Sequence, residues 1–286
     1  MYPYPNTNRS VALERGNISL FKAAMPGKKV CILGGVHGNE IAGINAVMML
    51  MAEGLNIDEG EVCLIICNQK AIDTGRRFVD ENLNRCFLKG KEKTVSYEEN
   101  IAEELKQILK NFDICIDIHN SNTPGSEPFI ICEENADALL DSIPAEKVVY
   151  GFDRLEPGGT DYHMNRTGKI GICIECGYAE DRLSIEFARK TILNLLKKTG
   201  NIKAKSETFN KKDVFRLEKT YIPKDDFRIV KRFADFEPLA EEELIGFDGE
   251  KRIIAGNACN ILFPRDIIKS QDSDGEAFLL IQKLYK

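Results

Sequence analysis

The chain has 286 residues, 43% of them hydrophobic and 29% charged, which supplies a packed core and excludes global disorder. Lys and Arg total 39 against 45 Asp and Glu, and a net charge of −6 argues against a nucleic-acid-binding surface as the main role. No apolar run of about 18 residues occurs, so no membrane-spanning helix is expected. The polar, Pro-containing start, Met1 to Arg9, lacks the basic and apolar pattern of a signal peptide.

Lys29 to Val36 reads as a buried strand, and Glu40 to Glu53 as a helix with Ile41, Ile44, Val47, Met48 and Met51 on one face. Glu61 to Cys67 is a second strand, and Ile101, Leu105, Ile108, Leu109 and Phe112 mark a second helix. Ile114–Ile118, Phe129–Cys132, Lys147–Tyr150 and Ile170–Ile174 read as further strands. Leu183 to Lys198 is a third helix, stopped by Gly200. Strands interleaved with helices predict an α/β fold with a parallel or mixed sheet covered on both faces. The polar segment Ile202–Asp213 reads as a linker. Beyond it the apolar runs Phe227–Val230, Arg252–Ala255, Asn260–Phe263 and Ala277–Ile281 are short, with turn signals at Asp248-Gly249 and Asp274-Gly275. The expected layout is a domain over 1–201 and a small, mainly β domain over 202–286.

Nine cysteines are present, most of them in apolar runs such as Val30-Cys31-Ile32 and Ile114-Cys115-Ile116, where a reduced thiol behaves as a small hydrophobe. A disulfide framework would place them in loops, so a reducing, cytoplasmic setting is the expectation. Cys173 and Cys176 form a C-x-x-C inside a strand-like run, where the two side chains fall on opposite faces.

Only three histidines occur, so their settings are informative. His37 lies in Gly34-Gly35-Val36-His37-Gly38-Asn39-Glu40, directly after the first strand and at the mouth of a helix. The glycines allow a tight turn there. Such a turn aims His37 and Glu40 at one point, and imidazole and carboxylate are common ligands of catalytic zinc. His119 ends the strand Ile116-Asp117-Ile118-His119-Asn120, where ligands collect in α/β sheets. Asp117, two residues earlier, is a candidate acceptor for the His119 ring N–H. The segment Arg76 to Phe87 sets arginines around an acidic, amide-rich loop. It reads either as a donor fork for a carboxylate or as a solvated loop held by Asp80–Arg pairs. Glu175 sits inside the apolar run Gly171–Gly177. A carboxylate there is paired, metal-linked or kept as a working base, unless the strand is an edge with Glu175 facing water. His163 reads as a loop or surface histidine near the site.

The G-G-x-H-G-x-E turn, the R-x-x-D-x-N-L-N-R-x-F loop, the D-x-H-N strand end and the I-E-x-G strand stand in the order seen in succinylglutamate desuccinylases and aspartoacylases. From Gly34 to Gly177 the chain resembles that family, a branch of the zinc-carboxypeptidase-like superfamily. The resemblance implies a zinc-carboxypeptidase-like mixed sheet flanked by helices, followed by a small β domain that narrows the site. It implies one Zn2+ per chain on His37, Glu40 and His119, Glu175 as general base, and Arg77 polarising the scissile carbonyl. Asn84 and Arg85 match the pair that binds a substrate carboxylate. Arg166, nine residues before Glu175, stands close to an arginine that aspartoacylases use for a side-chain carboxylate. The expected activity is zinc-dependent hydrolysis of an N-acyl amino acid or similar small acidic amide. The alternatives are a metallocarboxypeptidase acting on a small or cell-wall stem peptide, and a non-catalytic protein that binds a metal or a small acid. The expected partner is a small acidic substrate, with no nucleic acid or membrane. The sequence neither specifies nor excludes a homo-oligomer.

Overall fold

The computed structural model describes residues 13, 17–88, 96–269 and 275–284. The Met1–Arg9 segment and Asp274 of the second turn signal lie outside them. In chain order the first elements are β1 (Ile18–Lys22), β2 (Met25–Gly34), α1 (Ile41–Glu53), β3 (Glu59–Ile66), α2 (Gln69–Thr74), α3 (Tyr97–Leu109) and β4 (Ile114–Ser121). There follow β5 (Phe129–Cys132), α4 (Asp137–Leu140), β6 (Lys147–Tyr150), α5 (Phe152–Leu155), α6 (Thr160–Arg166), β7 (Ile170–Tyr178) and α7 (Leu183–Lys198). The remainder is all strand: β8 (Asp213–Tyr221), β9 (Phe227–Ile229), β10 (Pro238–Leu239), β11 (Leu244–Asp248), β12 (Lys251–Ile254), β13 (Cys259–Leu262) and β14 (Phe278–Leu284).

Eleven strands form one mixed sheet in the order β1-β3-β2-β4-β7-β5-β6-β8-β14-β13-β10. The strands β3, β2, β4 and β7 run parallel, and β5 turns antiparallel to β7. Alternation along β2 explains why both faces are covered. Val30 and Ile32 join the apolar cluster under α1 and α7, while Cys31 and Leu33 join the one under α3. The C-terminal strands do not stand apart from this sheet. β8 pairs in parallel with β6 and carries β14, β13 and β10 with it, while β9, β11 and β12 make a separate three-stranded sheet. Lys211 and Lys212 just before β8, with Arg216, Glu218 and Lys219 within it, conceal this strand in the sequence.

The cysteines pack as apolar side chains. None of the nine forms a disulfide, and eight are buried. Cys173 and Cys176 belong to clusters on opposite sides of the sheet. Among the described residues no helix is long and apolar enough to cross a membrane.

Helix α1 lies close against the sheet because two glycines meet. A Cβ on Gly43 would come within 2.5 Å of the Ile118 carbonyl oxygen, and one on Gly34 within 2.4 Å of the Gly43 oxygen. That contact sets the start of α1 against the ends of β2 and β4. Gly43→Ala should push the helix off the sheet and cost about 2–3 kcal/mol, the scale of overpacking. Urea unfolding of the variant against the parent measures it.

Candidate active site

The functional side chains collect at the carboxyl ends of the adjacent parallel strands β2, β4 and β7. His37 follows β2, Glu40 immediately precedes α1, and His119 is near the end of β4. Glu40 occupies the N-cap position of α1 without capping it through its side chain. Its carboxylate turns to the two imidazoles instead. His37 Nδ1 lies 2.8 Å from Glu40 Oε1, His119 Nδ1 lies 2.7 Å from Oε2, and the two Nδ1 atoms are 3.2 Å apart. One ligand atom from each of the three residues falls within 4.8 Å of the others, and all three residues are buried. Asn120 fastens this corner. Its N–H donates to Glu40 Oε2 at 3.2 Å, its Oδ1 accepts the Ala42 N–H at 2.8 Å, and its Nδ2 donates to the Gly177 carbonyl.

The far side of each imidazole also has an acceptor. His37 Nε2 is 2.9 Å from Asn82 Oδ1, and His119 Nε2 is 2.9 Å from Asp117 Oδ2. The Asp117 carboxylate also accepts the Thr160 hydroxyl at 2.6 Å. When a ring is neutral, an acceptor at Nε2 favours the proton there and makes the Nδ1 lone pair available to a metal. The expected Asp117–His119 contact is present; the Asn82 and Thr160 contacts emerge only from the fold. Burial and Arg77 hold the His37 pKa below its ordinary value. Burial also opposes charge on His119, but Asp117, Cys173 and Glu40 outweigh it and raise the value well above normal. Burial pushes Glu40 up, yet the two imidazoles hold it well below the usual carboxylate range.

Glu175 is on β7, in the interior of the sheet between β4 and β5, not on an edge. It pairs in register with His119 on one side and Phe129 on the other, so these three side chains form a row on one face. Its Oε2 is buried without a hydrogen-bond partner. Burial first, then the negative charge of Glu40, pushes its pKa up to about 8, against the pull of His119 and Arg77. Phe129 walls the outer side of Glu175. Phe236 packs edge-on against it at 5.0 Å, with Phe263 at 5.7 Å. Both covering residues have left-handed backbone, at φ 66° and 52°. Non-glycine residues hold that conformation only where their surroundings enforce it. Asp235, next to Phe236 in the chain, accepts the Ser121 hydroxyl and the Phe263 N–H, each at 2.7 Å. The C-terminal strands are thereby tied to the end of β4.

The loop of residues 76–88 brings the remaining groups. Arg77 Nη1 donates to Glu40 Oε1 at 2.7 Å. Asn84 lies beside His119, its Nδ2 3.3 Å from Nε2, and its Oδ1 is buried without a partner. Arg85 differs from the expected open carboxylate fork: its Nη2 donates to both Glu156 and Glu276. Within the loop Asp80 Oδ2 accepts the Tyr97 N–H, and no Asp80–Arg ion pair is present among the described residues. Arg166 is exposed at the last position of α6, whose first residue, Thr160, meets Asp117. A nine-residue spacing to Glu175 does not bring Arg166 to the site, because α6 carries the chain away from it. His163, on the same helix, packs its ring 5.6 Å from that of Phe87.

With this geometry the chain can be compared with known proteins. Residues 26–199 match the succinylglutamate desuccinylase/aspartoacylase catalytic domain. The chain belongs to this family. It is 29% identical over 182 residues to a probable aspartoacylase of Nostoc, an alignment covering 57% of this chain and 60% of that protein. It is 33% identical over 136 residues to the aspartoacylase of Danio rerio, covering 43% and 42%. The chain therefore spans less than two thirds of the length of these relatives. The crystal structure of a Vibrio cholerae succinylglutamate desuccinylase shares the fold, with a TM-score of 0.76 at 20% identity over 94% of this chain and 87% of that one.

In this family member the loop that delivers Arg77, Asn82 and Asn84 is held by a residue that no motif reading singled out. Glu98, fully buried at the start of α3, accepts Asn68 Nδ2 and the backbone N–H groups of Val79, Asp80 and Glu81. Removing that acceptor leaves several donors unpaired. Glu98→Ala should cost about 3 kcal/mol. It should also speed amide hydrogen exchange at Val79–Glu81, measured by mass spectrometry.

Proposed function

We propose that the chain is a zinc-dependent amidohydrolase acting on an N-acyl amino acid or a similar small carboxylate-bearing amide. The observation that carries the reading is the buried, partnerless Glu175 oxygen in register beside His119 of the three-ligand cluster. Binding a metal alone gives no reason to keep such a carboxylate. The donor set fits zinc. Two imidazole Nδ1 atoms and a carboxylate converge, with each far nitrogen on an acceptor, and three protein ligands are the usual complement of a catalytic zinc centre. When bound, the metal supplies Lewis-acid chemistry: it acidifies water and polarises a carbonyl.

The chain's own groups would do the rest. Glu175, ionised, takes a proton from the attacking water and delivers it to the leaving amine. Burial and the Phe129 wall keep the carboxylate poorly solvated, which makes it a stronger base. Arg77, already against Glu40, directs positive charge at the oxygen where negative charge develops. Asn84 presents an unpaired acceptor and an amide N–H close to His119, suited to orienting the substrate amide and its carboxylate. Arg85 is the second candidate for that carboxylate once its own acidic partners are accounted for. The family's aspartoacylase and desuccinylase members support the acyl-amino-acid class. Nine cysteines without a disulfide support a reducing compartment, and we assign the protein to the cytoplasm.

Elemental analysis of the purified chain should find about one zinc per chain. His119→Ala should lose most of it; unchanged zinc in that variant removes His119 from the site.

Glu175→Gln preserves size but cannot accept a proton. It should lower turnover about 100-fold or more while zinc content is retained. The assay is a panel of N-acetyl, N-succinyl and N-formyl amino acids run alongside short peptides. Release of amino acid from the acylated compounds alone supports the deacylase reading, and cleavage of peptides alone supports a carboxypeptidase.

A further inference from the structure

Both edges through which a guanidinium grips a carboxylate with two hydrogen bonds use Nη2, together with either Nε or Nη1. In Arg85 the two Nη2 hydrogens go to Glu156 Oε2 and Glu276 Oε1, and Nη1 donates to the Asn84 carbonyl at 3.0 Å. A substrate carboxylate therefore cannot take a two-bond grip on Arg85 until one glutamate leaves. The two glutamates are not equally free to do so. Glu156 is 7% exposed at its side chain, and its other oxygen accepts the Thr220 hydroxyl. Glu276 is 28% exposed, and its second oxygen lies 3.8 Å from Arg265 Nη2.

We propose that Glu276 is a specificity-determining residue, an internal carboxylate that occupies Arg85 and that the α-carboxylate of the substrate displaces. The proposal rests on the amidohydrolase reading above and specifies how its acid is selected. Release needs only a side-chain swing, since the backbone around Glu276 is pinned. Arg265 Nε donates to the Glu276 carbonyl, Arg265 N to the Ala277 carbonyl and Ala277 N to the Tyr221 carbonyl, each at 2.8 Å. Arg265 then receives the displaced carboxylate, so no acid is left unpaired. Selection works by exchange: a carboxylate replaces a carboxylate, whereas a neutral carboxamide lacks the charge to displace Glu276. Glu276 comes from the C-terminal strands, so this unit adjusts substrate preference at a loop of the catalytic face.

The test uses the full zinc-loaded chain and three matched pairs: N-acetyl-L-aspartate, N-succinyl-L-glutamate and N-acetyl-L-phenylalanine, each as free acid and as α-carboxamide. Glu276→Gln should lower KM for the free acid about fivefold and leave the carboxamide KM and both kcat values within about twofold. Glu276→Asp retains the charge on a shorter arm and should fall between; it substitutes where the Gln variant melts early. A second readout needs no turnover. Phenylglyoxal labelling of Arg85, followed by peptide mass spectrometry, should run faster in Glu276→Gln than in the parent. A free-acid KM that does not fall overturns the proposal, whatever the labelling does. If the parent hydrolyses none of the pairs, the amidohydrolase reading fails for these substrates and labelling decides alone. Accelerated labelling then supports Glu276 as the occupant of Arg85, and an unchanged rate overturns it.

Discussion

A carboxylate that is only 2% exposed must be compensated from within, and Glu40 is compensated from every element around it. Two imidazoles, the Arg77 guanidinium and the Asn120 N–H converge on its two oxygens. Those groups come from the turn after β2, the 76–88 loop and the end of β4. Because α1 starts at the next residue and lies glycine-to-glycine against the sheet, Glu40 has little freedom to relax. The geometry of the candidate metal site is thus a by-product of satisfying one buried charge. Removing a ligand would disturb the others through the fold as well as through the metal.

The same face of the sheet shows how a polar site is kept inside an apolar layer. The cluster under α3 and the aromatic cluster of Phe129, Phe215 and their neighbours flank the row His119–Glu175–Phe129. The Phe129 side is covered by two residues held in left-handed backbone, a conformation that opposes folding by about 1–3 kcal/mol per residue. Unfavourable backbone and an unpartnered Glu175 oxygen therefore coincide, as the proposed role of Glu175 as a base would require.

Much of this was legible in the sequence. The strands β5 and β6 and helix α7 have the bounds their apolar patterns imply, because pattern and burial coincide there. His37, Glu40 and His119 were legible because a Gly-rich turn and a strand end are local constraints, and so was Asp117 at period two from His119. What was not legible depended on partners distant in the chain. Arg85 reads as an open fork until Glu156 and Glu276, 71 and 191 residues away, are brought to it. Glu98 looks like any acid in the first turn of a capped helix, with Ser96 and Glu99 forming the capping box beside it. Arg166 was assigned by its resemblance to an aspartoacylase arginine at a similar spacing, and it stands exposed at the far end of a seven-residue helix. Strand β8 was missed because Lys211 and Lys212 precede it and Arg216, Glu218 and Lys219 interrupt its apolar residues, while its pairing with β6 and β14 depends on segments distant in the chain.

The hydrogen bond from Ser121 to Asp235 also has a thermodynamic consequence. Ser121 stands two residues beyond His119 on β4, while Asp235 lies in the turn before β10, a strand of the same large sheet. Such a seam makes local opening of one part costly to the other, so the two parts are expected to melt as a single cooperative unit. Anything that binds the native ligand cluster and not the unfolded chain raises the stability of that whole unit by mass action. Metal supply would then set the lifetime of strands that never touch the ion, and depletion would expose the C-terminal edge together with the site.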